Sequence, residues 1–181
     1  RIEEDGTTTT IVDGLPPVLH SMVLDANGVA YISAVQPEAD WMRSTIYTTT
    51  LDGITGTLTT LPTVAHSLAI EPTTGYLWGT GYQEIWYIDG AGVRHTIPFT
   101  ISSGTDEDLA FTPDGTLYAQ TTTSDPGAVP MERGIYRVDP TGPTFTLIAD
   151  LSTVNICCQM GHLEAGRDGY LYWVGGGDRH T

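Results

Sequence analysis

An all-β chain, and within that class a β-propeller of four-stranded antiparallel blades, is what this sequence predicts. Three observations carry the expectation. One hairpin pattern recurs four times, a second hairpin pattern alternates with it, and no stretch keeps apolar residues at helical spacing over three turns.

The recurring unit is clearest at Asp108 to Ala119, DLAFTPDGTLYA, and returns as SMVLDANGVAYIS, SLAIEPTTGYLWG and HLEAGRDGYLYWV. A short apolar strand runs into a turn of Pro, Asp, Asn and Gly, and a second strand follows with an aromatic residue, Tyr31, Trp78, Tyr118 or Tyr172. Gly28, Gly75, Gly115 and Gly169 hold the turn position where a positive φ is expected.

The alternating unit is TIYTTTLDGITGTLTTLP, then EIWYIDGAGVRHTIPF, then GIYRVDPTGPTFTLIADL, and the chain opens on a related stretch, RIEEDGTTTTIVDGL. Each reads as strand, Asp/Gly turn, strand, with threonine on pleated half-exposed faces. Two hairpins in succession make a unit of about 40 to 55 residues, the period of a propeller blade. The expected single domain therefore divides into an outer hairpin of a closing blade (1–19), three blades (20–65, 66–104, 105–160) and the inner hairpin of the closing blade (161–181). Arg1 to Leu15 is expected to pair with Gly161 to Val174, within one molecule or between two, so homo-oligomerisation through blade closure is one outcome. A ring of these four blade equivalents and a part of a larger propeller both stay open, and the start at Arg1 is expected of a processed product or a fragment.

Composition narrows the partners. The chain has 181 residues and a net charge of −15, and seven arginines with no lysine supply its permanent cations. Such a surface repels phosphate backbones, which argues against nucleic acid. No segment approaches the roughly 18 apolar residues of a membrane span. A secreted or cell-surface protein with a protein or carbohydrate ligand is the expectation.

Aligned inner strands place His20, His66, Glu107 and Gly161 in one column and Ser21, Ser67, Asp108 and His162 in the next. Inner strands line a propeller's channel, so His20, His66, Glu107, Asp108 and His162 are candidate ligands for a divalent metal, imidazole with carboxylate suiting zinc or another transition ion. The plainer account is that repetition copied residues that merely hydrogen-bond neighbouring strands. Serine hydrolysis is not indicated: His20–Ser21 and His66–Ser67 are strand neighbours on opposite faces, and no G-x-S-x-G is present.

Cys157 and Cys158 are adjacent, and in an oxidising setting a vicinal disulfide is expected, with two reduced thiols as the alternative. With Asp178 they are the candidate ligand contacts. GTGYQE (79–84) and GGGD (175–178) lack nucleotide-binding spacing, and TDED (105–108) lacks that of an EF-hand. No residue is assigned as catalytic or cofactor-binding, and no cofactor beyond a divalent metal is suggested.

The DG turns, the GIYRVDPTG outer strands and the SLAIEPTTGYLWG inner strands resemble those of NHL-type, gluconolactonase-like and virginiamycin B lyase-like propellers. The last blade, CCQMGHLEAGRDGYLYWVGGGD, is similar to a segment of soluble quinoprotein glucose/sorbosone dehydrogenases, and Cys157, Cys158, Gly161, Asp168, Gly169, Tyr172 and Asp178 match it. That family places a catalytic histidine just before the glycine, beside pyrroloquinoline quinone. Here Gln159 and Met160 stand there and His162 follows Gly161. The resemblance implies the propeller fold and an extracellular setting. The expected function is an extracellular binding or interaction module, and the alternative is a quinoprotein dehydrogenase-like or lactonase-like enzyme with its site at the channel mouth.

Overall fold

The computed structural model describes residues 4–35, 43–81, 84–98, 108–121, 134–142, 144–151 and 161–175. Glu107, Cys157, Cys158 and Asp178 lie outside them. Among the described residues every regular element is a strand, as the period-two patterning requires.

The chain forms two compact units, residues 1–65 and 66–181. The first contains one antiparallel sheet, β1 (Val18–Leu24), β2 (Val29–Val35), β3 (Ser44–Thr50) and β4 (Thr55–Leu61), paired in chain order. The second contains a sheet of β5 (Leu68–Ile70), β6 (Leu77–Gly81), β7 (Glu84–Ile88) and β8 (Arg94–Pro98). Next comes one of β9 (Asp108–Phe111), β10 (Leu117–Thr121), β11 (Gly134–Asp139) and β12 (Thr144–Asp150), then a pair, β13 (Gly161–Ala165) and β14 (Leu171–Gly175). Up-and-down order in four-stranded antiparallel sheets is the blade pattern.

The turns form where the sequence places them. Gly28, Gly75, Gly115 and Gly169 have φ of 80°, 75°, 85° and 83°. At Gly115 a side chain would be opposed twice, by that backbone and by Thr73 Cγ2, 3.1 Å from where a Cβ would stand. Aspartates tie the turns: Asp25 Oδ1 accepts the amides of Asn27 (2.8 Å) and Val29 (2.9 Å), and Asp89 Oδ1 those of Ala91 and Val93 (both 2.9 Å). The Thr112 hydroxyl holds the Asp114 carboxyl below the usual range, and the Tyr172 hydroxyl does the same for Asp168.

Alternation on the third blade sorts its side chains between two neighbours. Leu109, Leu117, Ala119 and Val138 join Ala69, Trp78, Ile85 and Ile97 of the β5–β8 blade in one core. Ala110 and Ile135, on the opposite face, pack with Leu151 and Leu163, and Tyr118, Leu171 and Trp173 close around them. The inner strands β5, β9 and β13 are spatial neighbours, β9 lying against both others, so successive sheets stack face to face with their inner strands adjacent. The completely buried Trp86 sits over Gly79, where a Cβ would stand only 2.2 Å from Trp86 Cζ2.

In the first unit, the described residues 4–15 include one bridge position, at Thr8. The carbonyl oxygen of Ile11 lies 3.0 Å from where a Cβ on Gly53 would stand. The register shifts between Leu19 and Ser21, which puts His20 at a bulge.

Candidate functional site

The second unit is organised at the ends of its inner strands by Asp108. As the first residue of β9 it stands between β5 and β13, and its side chain is 13% exposed. Its Oδ1 accepts the Ser67 hydroxyl and the Leu109 amide (2.9 Å). Its Oδ2 accepts the Leu163 amide (2.7 Å) and contacts His162 Nδ1 at 2.7 Å. The Leu109 amide also reaches Ser67 Oγ at 3.2 Å. One carboxylate thus links the inner ends of three successive sheets, and burial of its oxygens is compensated by donors from each.

Ser67 is itself positioned by β6. Its amide donates to Thr80 Oγ1 (3.1 Å), and the Thr80 amide donates back to the Ser67 carbonyl (3.1 Å). The first unit repeats the arrangement, with the Ser21 amide on Ser33 Oγ at 3.1 Å. There the Ser33 hydroxyl continues to the Ala65 carbonyl (2.9 Å), and Ser44 Oγ accepts the Ala65 amide (2.9 Å). These hydroxyls fix where each inner strand begins.

His162 offers the exposed chemistry of the cluster. Its side chain is 70% exposed, Nδ1 is engaged with Asp108, and Nε2 lies 3.5 Å from Glu164 Oε2. With Nδ1 held by Asp108, Nε2 is the ring nitrogen left at the surface, beside the Glu164 carboxylate.

Of the sequence-derived metal candidates, Asp108 and His162 are brought together. His66 begins the second unit and donates its amide to the Thr80 carbonyl (3.2 Å). His20 belongs to the first unit, where it lines an apolar surface cavity of about 610 Å³ with Val12, Pro16, Met22 and Ile32. Among the described residues no group of three or more His, Cys, Asp or Glu is placed to hold a metal ion. His95, which the sequence reading passed over, bonds Asp89 Oδ2 at 2.8 Å and stacks on Tyr87, and that bond is the main reason the Asp89 carboxyl sits low. Thr80 and Gln120 were also missed, although both stand in the column of Ser33, opposite Ser67 and Asp108 as Ser33 stands opposite Ser21.

No protein-family model and no curated protein sequence matches the chain. Solved structures do match. An auxiliary nutrient binding protein from Bacteroides thetaiotaomicron superposes with a TM-score of 0.63 at 16% identity, over 92% of this chain and 44% of that one. The fold is that of a β-propeller. Virginiamycin B lyase from Staphylococcus aureus, solved also as a catalytically inactive histidine variant with quinupristin, gives 0.55 at 14% identity, over 87% of this chain and 63% of the lyase. The extracellular domain of a putative one-component system from B. thetaiotaomicron gives 0.56 at 13%, over 87% of this chain and 20% of that one. This chain spans less than two thirds of each neighbour's length. The lyase match agrees with the resemblance that the hairpin patterns carry.

Proposed function

We propose that the chain is a propeller-type binding module, secreted or cell-surface, that takes its ligand at the inner-strand ends around His162. The observation that carries this reading is the saturation of Asp108. Its two oxygens already serve the Ser67 hydroxyl, two backbone amides and His162, so the carboxylate orients and joins while the exposed imidazole is left to meet a ligand. The nutrient-binding and extracellular neighbours support a ligand-binding, exterior role by analogy of fold.

One observation favours a second reading, a lyase-like or lactonase-like enzyme. An imidazole steadied through Nδ1 by a buried carboxylate is also what a general base requires, and the lyase neighbour is known in a histidine variant without activity. The two readings separate in one experiment. Purified protein is screened by thermal shift against neutral, acidic and amino saccharides and short peptides, and separately incubated with quinupristin. Binding that stabilises the parent, drops at least tenfold in His162→Ala and leaves quinupristin intact is the expected result. Conversion of quinupristin that is lost in His162→Ala would install the enzyme reading. Equal ligand binding by parent and variant would remove His162 from the site.

A further inference from the structure

Gln120 is completely buried, yet among the described residues neither its amide nitrogen nor its amide oxygen has a hydrogen-bond partner, and the buried Nε1 of Trp173 has none either. A buried polar group left unpaired costs about 1–3 kcal/mol, and folded interiors hold few of them. Register places all three atoms along one interface. Gln120 pairs with Asp108 on β9 and with Ile135 on β11, so its side chain leaves the sheet on their side. Ile135 belongs to the cluster containing Leu163, and Trp173 packs against that same cluster. The unpaired groups therefore lie between the third blade and the β13–β14 pair, in the interface that Asp108 closes at its inner end.

The equivalent positions show that polarity here is not a requirement of the blade. Ser33 and Thr80 stand opposite Ser21 and Ser67 as Gln120 stands opposite Asp108, and their hydroxyls are used at once by the backbone. Val174, opposite His162, is apolar. Leucine at 120 would fill the space without the penalty.

We infer that this interface is a subsite for a neutral, hydroxyl-bearing ligand of the saccharide class, with Gln120 and Trp173 as its recognising residues; the inference rests on the binding-module reading and specifies its ligand. A hydroxyl both donates and accepts, so it satisfies the Gln120 oxygen and nitrogen together, while a second oxygen accepts from Trp173 Nε1. A carboxylate ligand would meet Asp108, Glu164 and a chain of net charge −15. A metal ion or ammonium group would meet N–H donors. Because Gln120 is completely buried and Trp173 only partly exposed, binding is coupled to a parting of the two sheets at the end where His162 is exposed.

The test is calorimetric titration of neutral mono- and disaccharides, uronates and amino sugars into the parent, Gln120→Leu and Trp173→Phe. Neutral saccharides are expected to bind, and Gln120→Leu is expected to melt higher than the parent in the free state while binding at least tenfold more weakly. Trp173→Phe, which keeps a ring and deletes the N–H, gives an independent reading should the first variant fail to fold. Preference for a uronate or an amino sugar overturns the ligand class and leaves the binding module standing, and so does binding of peptides alone. Parent-like affinity in both variants, or no neutral saccharide bound by the parent, overturns the subsite. A Gln120→Leu variant that melts lower and binds as the parent does assigns the space to a trapped water.

Discussion

Replacing Asp108 with alanine isolates the bonds that join the inner strands. The substitution strips the acceptor from the Ser67 hydroxyl on the second blade and from the Leu163 amide on β13. The Leu109 amide keeps Ser67 Oγ at 3.2 Å, so it is only partly orphaned. A hydrogen bond to an ionised acceptor contributes about 1.5–3 kcal/mol, so two such bonds amount to about 3–6 kcal/mol. His162 adds little, because a pair with one partner 70% exposed is screened by water and contributes below about 1 kcal/mol. With a urea slope of about 2 kcal/mol/M, the unfolding midpoint should fall by about 2 M at unchanged slope. Asp108→Asn retains one acceptor oxygen and turns an amide toward the other donors, so it should lie between parent and Asp108→Ala. Hydrogen exchange at the Leu163 amide should accelerate in step. An Asp108→Ala protein within 0.5 kcal/mol of the parent, roughly the scale of an ordinary surface change, would refute the role assigned to the carboxylate.

Gly79→Ala should destabilise by about 3 kcal/mol, because the new methyl group would stand 2.2 Å from Cζ2 of the buried Trp86. Gly142→Ala, where a Cβ meets nothing within 4 Å, should be close to neutral, and thermal melts followed by tryptophan fluorescence compare the two. Asp89 has a depressed carboxyl pKa, chiefly from its bond to His95, so its contribution to stability is present above the unfolded value near 3.8 and is lost as pH falls through the lower folded value. The gap between the parent and Asp89→Asn should accordingly be fully present above about pH 5 and close toward pH 2; a gap that widens with acid would contradict the sign.

The architecture was legible because its determinants are local. A turn glycine such as Gly115 must reach positive φ whatever surrounds it, and strand alternation on Leu109, Leu117 and Val138 sorts apolar side chains before any partner is known. Part of the site was legible for the same reason: placing Ser67, Asp108 and His162 in one column follows from repeat phase, and the structure ties the three together by hydrogen bonds. The chemistry of that column was not, since repeat phase says that residues are equivalent and not which donors a carboxylate will meet. Asp108 ends an acidic run and could as well have been solvated; the Ser67 hydroxyl and the Leu163 amide, 41 and 55 residues away, make it a clasp. Gln120 was invisible for a further reason. A glutamine at the end of a strand reads as a surface residue, and its anomaly exists only once burial and the lack of partners are both known. Gly79 illustrates the converse, since GTGYQE was weighed for nucleotide binding and the glycine instead makes room for Trp86.

A binding module, as proposed, presents a site on its blades and leaves the ligand chemically unchanged. Native mass spectrometry of the purified protein, incubated with a mixture of neutral oligosaccharides and then released by denaturation, tests it most directly. One saccharide retained at unit stoichiometry, recovered at its original mass and missing from the His162→Ala sample is the expected result. Recovery of a cleaved, eliminated or oxidised product that His162→Ala fails to form would contradict the account.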